Sequence, residues 1–404
     1  MKPYIFKRIL TIHPSVRRAI LAGFDLYESC VWTVFDFKYR LFVRLYPRIE
    51  RPPETIGSVL HISAMSHKPF MLSRLMRTHG LKSSYLALYP EAGWLKVGRK
   101  GYDYAIHFTV LSILFRPIIN IYYVWTLLRH YDVIHYHFAS YLDPKGHELK
   151  YLKRMGKVIV VHFRGCDLRQ KSVNMNLNPG LNCCGDCDYP PGTCETPEQL
   201  RRIALARRYA DLLFVTTPDL LDFLPEAEHV PFVAPFGIDL DAIEASPRSP
   251  GVFRVVTSSN HHGVDGTEYV RRAVARLTEE GYAIELVEVH KTPYEQALSI
   301  YKSADVYAGK LLMGYYNNAI IECMMLGVPT ICYIRDDYLP GIPDCPIIIA
   351  RPEMVYERLK DAIGNKTELG EIGVKGKAFI QKYHDPDTVV ETILNRYGAI
   401  LEAR

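Results

Sequence analysis

The sequence predicts an α/β protein of two doubly wound, parallel-sheet halves behind a helical extension, and three observations predict it. At 404 residues the chain exceeds one ordinary hydrophobic core, so two domains and an appendage are expected. Short β-branched runs alternate with helical segments in two separate series, the pattern of parallel sheets covered on both faces. Between the series lies "PFVAPFGIDLDAIEASPRSPG", rich in Pro and Gly and without helical period, which reads as a hinge. An apolar content of 48% belongs to a globular chain.

The extension is residues 1–56. It holds 10 Lys+Arg against 5 Asp+Glu, leaving 39 of each for the rest, so the whole formal excess of +5 lies there. Arg and Lys mixed with Phe, Tyr and Trp is the chemistry of an interfacial helix facing anionic headgroups, which places a cytoplasmic chain peripherally on the inner face of a membrane. A helical pair packed on the domain behind it is the alternative. No apolar core with a small-residue cleavage site marks a signal peptide, and no basic surplus elsewhere suits nucleic acid.

The N-terminal Rossmann-like domain is expected over 57–235. After Pro52-Pro53, "IGSVLHISAM" is a buried strand, "HKPFMLSRLMRTHG" a helix ending at Gly80, and "SSYLALY" a second strand. The unit recurs: "YDVIHYHF" and "KVIVVHF" are strands around the helix "KGHELKYLKRMG", and "EQLRRIALARRYA" leads into the strand "DLLFVTT". The apolar stretch from Ala105 is broken by Arg116-Pro117 and Asn120 before the ~20 residues of a span, so one or two buried or membrane-grazing helices are expected there. "NCCGDCDYPPGTC", within loop 183–194, brings Cys183, Cys184, Cys187 and Cys194 near enough in sequence for a structural zinc, with free thiols or a local disulfide as alternatives. The other cysteines of the nine are scattered, as in a reducing compartment.

The C-terminal domain, 251–385, runs through "FRVVTSSN", "GTEYVRRAVARLTEEG", "AIELVEV", "PYEQALSIYKSA", "DVYAGKLL", "NNAIIECMMLGVPT" and "VPTICYI", and a closing helix occupies 386–404. Parallel sheets of this kind bind ligands outside the carboxyl ends of their strands. The helix opening at Asn317 and Asn318 offers free amides and a favourable dipole to an anion, and Gly327 and Pro329 end it. Glu322, about one turn in, can accept hydrogen bonds from two ribose hydroxyls. A solvated carboxylate on an amphipathic core helix is the plainer alternative.

From about residue 57 to 400 the order of elements resembles the GT-B glycosyltransferases, specifically the family 4-like retaining enzymes. "NNAIIECMMLGVPTICY" looks like that family's helix bearing the second Glu of E-x7-E, and "YDVIHYHF", "GIDLD" and "NHHGVDGTEYV" support it by their order. The resemblance implies a nucleotide-sugar donor held by Asn260, Gly314, the turn Tyr315, Tyr316, Asn317 and Asn318, and Glu322. Two departures follow. Gly314 stands where the first Glu is expected, and His262 and Asp265 stand where the phosphate loop carries Arg and Lys. Lys310, at a strand's carboxyl end, and His262 or His261 are the candidates to compensate, since cations stabilise a leaving diphosphate. From the first half, His137 and Arg164 are expected in the catalytic set, and Asp167 at acceptor hydroxyls.

No paired carboxylates suit a bridging Mg²⁺, so no catalytic metal is expected. The resemblance thus implies sugar transfer with retention to a glycan or glycolipid acceptor, lipid-linked or of the cell envelope, as in polysaccharide biosynthesis. The rivals are a GT-B-shaped binding or scaffold subunit without catalysis, which Gly314 and Asp265 favour, and a sugar-nucleotide epimerase.

Overall fold

The structure is a computed structural model describing residues 14–46, 52–64, 68–90, 101–107, 109, 112 and 114–403. Within the extension, residues 1–13 and 47–51 lie outside the described part. What is described is one helix, α1 (Pro14–Leu45), and not a helical pair. Its inner face is aromatic: Trp32 stacks on the rings of His147 and Tyr151 at 5.2 and 5.6 Å, and Tyr39 is buried beside Tyr151. Such long helices owe their order mainly to packing of one face, which this aromatic seam supplies.

The chain continues through β1 (Ser58–Ser63), α2 (Lys68–Thr78), β2 (Lys82–Leu88), β3 (Tyr104–Ile106), α3 (Arg116–Thr126), β4 (Val133–His137), α4 (His147–Arg154) and β5 (Val158–Phe163). Then follow α5 (Lys171–Leu177), α6 (Pro197–Tyr209), β6 (Leu212–Val215) and β7 (Glu228–His229). The strands form one sheet in the order β3-β2-β1-β4-β5-β6-β7, with β1 parallel to both β2 and β4. Every residue of β1, β4 and β5 is buried, as continuous apolar runs covered on both faces should be. Arg116-Pro117, expected to break the apolar stretch, instead opens α3, because proline's missing donor costs nothing in a first turn.

Residues 230–252 form no helix or strand. The second sheet collects β8 (Phe253–Ser258), β9 (Ile284–Val289), β10 (Val306–Ala308), β11 (Thr330–Cys332) and β12 (Ile348–Ile349) in the order β12-β11-β10-β8-β9, with parallel pairing throughout. The helices of this half of the chain are α7 (Thr267–Glu279), α8 (Tyr294–Lys302), α9 (Asn318–Met325), α10 (Val355–Gly364), α11 (Lys366–Tyr383) and the closing α12 (Pro386–Glu402). Neighbouring strand residues enter different cores. Val255, Val306 and Ile331 pack with Val270, Leu277 and Leu359, whereas Val256, Tyr307 and Cys332 pack with Leu298, Ile320 and Phe379. That alternation is the period-two geometry of a strand covered on both sides.

Two glycines explain how α9 ends. Gly327 takes φ of +77° as its left-handed cap, and a Cβ on Gly373 of α11 would stand 2.1 Å from the Gly327 carbonyl oxygen. Helix α11 can therefore lie directly on the end of α9.

The chain divides into two compact units. One comprises 1–162, 200–213 and 394–404, and the other 163–199 and 214–393. The cysteine-bearing segment thus belongs with the second sheet: Cys183 and Cys184 share a core with Val264 and Leu312.

Candidate functional site

Helix α9 begins at Asn317, whose side chain caps it by accepting from the Ile320 amide at 3.2 Å. The amides of Asn318 and Ala319 precede the intrahelical ladder and face outward along the helix axis. One turn in, Glu322 is 6% exposed, and Tyr294 of α8 donates its hydroxyl to it at 3.1 Å. This is not a solvated carboxylate. Tyr315 and Tyr316, expected at the donor, turn their side chains into the core: the Tyr315 hydroxyl donates to that of Tyr316 at 3.0 Å, and Tyr316 lies 2.8 Å from His384 Nε2. His384 also holds the Phe232 carbonyl at 2.8 Å, and burial lowers its pKa to about 4, so it stays neutral. Only the backbone of the 315–316 turn is left to meet a ligand.

The loop after β8 is the second component. Asn260 is exposed, and His261 and His262 are half-buried. Three polar atoms here, His261 Nε2, His262 Nδ1 and Thr267 Oγ1 at the start of α7, are buried with no hydrogen-bond partner among the described residues. Buried polar atoms are ordinarily paired, which sets these three apart from most of the core. Asp265 does not point its charge at that position. Lys310 and Ser259 both bond to its carboxylate, Ser259 Oγ at 2.6 Å. Lys310 is itself mostly buried, in a left-handed backbone conformation of φ +56°. The expected free cation and the expected phosphate-repelling anion therefore neutralise each other. Neither was readable from spacing, because the partners are 45 residues apart.

Gly314 has φ of +81°, and a Cβ there would stand 2.9 Å from both Cγ and Cδ of Arg335. The place of the missing glutamate is thus taken by an arginine stem. The Arg335 guanidinium bonds to Asp222 and to both oxygens of Asp337, and it lies 4.5 Å from the centre of the Tyr338 ring. Arg335 and Asp222 carried no motif, and sequence reasoning missed them.

Segment 163–199 lies over the β8 loop. A Cβ on Gly263 would stand 1.7 Å from the Asp186 carbonyl oxygen, so only glycine admits this approach. Tyr189 stacks on His261 at 3.6 Å. Arg164 donates its amide to both Asp167 oxygens at 3.1 Å, and burial still raises the Asp167 pKa to about 6. Burial lowers that of Arg164 to about 10. Arg169 and Asp219, which the sequence did not single out, form a buried ion pair beside them.

Among the described residues, the groups of three His, Cys, Asp or Glu with ligand atoms within 4.8 Å of one another are His61-His135-His137 and Glu28-Asp143-His147. Cys183, Cys184, Cys187 and Cys194 form no such group, because Cys183 and Cys184 turn into an apolar core where the Asn174 amide reaches both sulfurs, at 3.5 and 3.2 Å. The hydrogen bond from Cys183 lowers the Cys184 pKa to about 7.

In the first unit His137 ends β4 fully buried, 3.0 Å from His61 Nδ1. Register explains the gathering: His61 pairs across from His135, and His137 from His162. His135 and His137 stack at 4.2 Å, and His135 Nδ1 lies 2.6 Å from the Tyr397 hydroxyl of α12. His137 is thus one member of a hydrogen-bonded imidazole stack.

No family model matches the sequence, and no curated protein matches it. Solved structures do. A sucrose-phosphate synthase from Thermosynechococcus elongatus superposes with a TM-score of 0.56 at 12% identity, covering 86% of this chain and 100% of that one. A trehalose-6-phosphate synthase, studied with bisubstrate glycomimetics, gives 0.54 at 11% identity, covering 86% and 99%. The fold is GT-B. At these identities the likeness is one of fold, and a GT-B fold hosts its chemistry in site residues that must be argued separately.

Proposed function

We propose that this protein is a glycosyltransferase that moves a sugar from a nucleoside diphosphate sugar to a hydroxyl of a lipid-linked or cell-envelope glycan, with retention. The observation that carries the reading is the trio of buried, unsatisfied polar atoms on His261, His262 and Thr267. A diphosphate supplies the acceptor oxygens they lack. Glu322, oriented by Tyr294, accepts from the ribose hydroxyls, and the α9 amides face the second phosphate. In the reaction the bond from the anomeric carbon to the diphosphate oxygen breaks. The acceptor oxygen bonds to the same face of that carbon, and its proton passes to the departing diphosphate. His262 donates to the leaving oxygens, and the paired Lys310 and Asp265 hold its loop. Arg164 and Asp167 are assigned to the acceptor side, and no metal is assigned a step. The protein works from the cytoplasmic side, with peripheral membrane contact through the extension.

One observation favours a non-catalytic binding subunit: Lys310 and Arg335 are both committed to carboxylates. Thermal-shift titration with nucleoside diphosphates and their sugars tests the proposal. A shift with one base is expected, lost in Glu322→Ala and weakened in Thr267→Val. No shift with any nucleotide overturns donor binding, and a shift without transfer or donor hydrolysis supports the binding subunit.

A further inference from the structure

Helix α1 has two apolar faces, and among the described residues only one is covered. Opposite the Trp32 and Tyr39 seam, Leu26, Cys30, Val34, Phe37, Leu41 and Leu45 recur at spacings of three and four, so they lie along one line of the helix. Phe37 is 71% exposed and Leu45 68%. At 1.5 Å per residue this line is roughly 28 Å long. Helix α3, joined to α1 by the contact of Phe42 with Trp125 at 4.7 Å, exposes Ile118 and Tyr122, with Phe115 exposed just before it. Contiguous apolar surface of this extent marks an interaction site.

Charge is sorted between the two faces. All three acids of α1 turn to cations of their own unit. Asp25 bonds to Lys145 at 2.8 Å, Glu28 to Lys145 at 3.0 Å and Arg116 at 3.4 Å, and Asp36 to Lys150 at 3.4 Å. Lys38 and Arg44, beside the open stripe, are exposed and make no ion pair among the described residues. The open face is therefore apolar and cationic with no anion. A second copy brought against it would oppose like charges, whereas an anionic lipid interface complements both features.

We propose that α1 lies along the surface of an anionic bilayer, its Leu26–Leu45 stripe at the boundary of headgroups and acyl chains and Lys38 and Arg44 on lipid phosphates. This deepens the membrane-contact part of the reading above. No helix among the described residues is long and apolar enough to cross a membrane, so the contact is along the surface. Flotation of the full chain with phosphatidylcholine vesicles, with and without phosphatidylglycerol, tests it.

The wild type is expected to float with the anionic vesicles about tenfold better than with the zwitterionic ones. Lys38→Glu/Arg44→Glu should fall to the zwitterionic level, and Phe37→Glu/Leu41→Glu should lose flotation on both. Circular dichroism melts check that the variants fold, and the exposed, unpaired Lys38 and Arg44 give the safer pair. Absence of wild-type flotation overturns the proposal. So does flotation unchanged in Phe37→Glu/Leu41→Glu, and so does a dimer that this variant splits without altering vesicle partition. The nucleotide thermal shift, measured on the same samples, separates the two readings. A lost shift with intact flotation removes the transfer reading alone, and an intact shift without flotation removes the lipid reading alone.

Discussion

At the crests of their sheets the two units use opposite chemistry. The first fills the carboxyl ends of β4 and β5 with imidazoles that hydrogen-bond to each other and to Tyr397. The second carries charges on its loops that are tied off locally: Lys310 to Asp265 after β10 and β8, Arg335 to Asp222 and Asp337 after β11, and Arg169 to Asp219 in the segments after β5 and β6. Among the described residues of the second unit, the buried polar atoms left without a partner belong to His261, His262, Thr267, Thr330, Tyr338 and one oxygen of Asp219. The contrast teaches that the second unit's charges serve to shape loops.

That contrast breaks most sharply at the buried pair. Lys310→Ala leaves Asp265 buried beside Ser259 without its cation and is expected to cost about 3 kcal/mol in urea unfolding, with much of it recovered in Lys310→Ala/Asp265→Ala. A single variant no less stable than wild type would place the pair among ornamental surface bridges. Gly314→Glu drives a side chain into the Arg335 stem at positive φ. A loss of about 2 kcal/mol is expected, with no gain in nucleotide affinity.

Acid behaviour sharpens the comparison further. The His384 pKa is lowered from 6.5 to about 4 by burial, so the folded state binds fewer protons than the unfolded one in that window. Stability from this group is fully present above about 6.5 and falls as pH drops toward 4, and His384→Gln should flatten that part of the profile. The smallest effect belongs to the first unit. Tyr397→Phe removes one hydrogen bond to the imidazole stack and should cost about 1 kcal/mol while leaving any nucleotide shift intact, measured by melting with and without ligand. A lost shift would join the stack to the donor site.

Much of the fold was legible. Every strand and helix read from the alternating series, from "VLHIS" to the C-terminal helix, forms where expected, because buried parallel strands and amphipathic helices announce themselves by period. Helices α10 and α11 and the short edge strands β3, β7 and β12 went unread, since short edge strands carry too few residues to show a period. In the site, Glu322 and the α9 cap were legible because a cap, a carboxylate one turn in and a terminal glycine sit within one short stretch. Lys310 was found, but its pairing with Asp265 was not, because the two are 45 residues apart. Spacing did not show that Cys183 and Cys184 turn into an apolar core and meet Asn174.

Local pattern by itself determined the two parallel-sheet series, the hinge composition, the basic and aromatic character of the extension and the helix that bears Glu322. These depend on contacts within a turn or a strand. Only tertiary structure decided which charges remain free, what occupies the place of a carboxylate at Gly314, and which apolar face of α1 stays open. The partners that settle those questions, Asp265 for Lys310, Arg335 for Gly314 and Lys145 for Glu28, are brought in from distant parts of the chain by packing of the core. Electrostatic and steric outcomes at a site follow the neighbours a side chain actually has, and those neighbours are set by the fold as a whole.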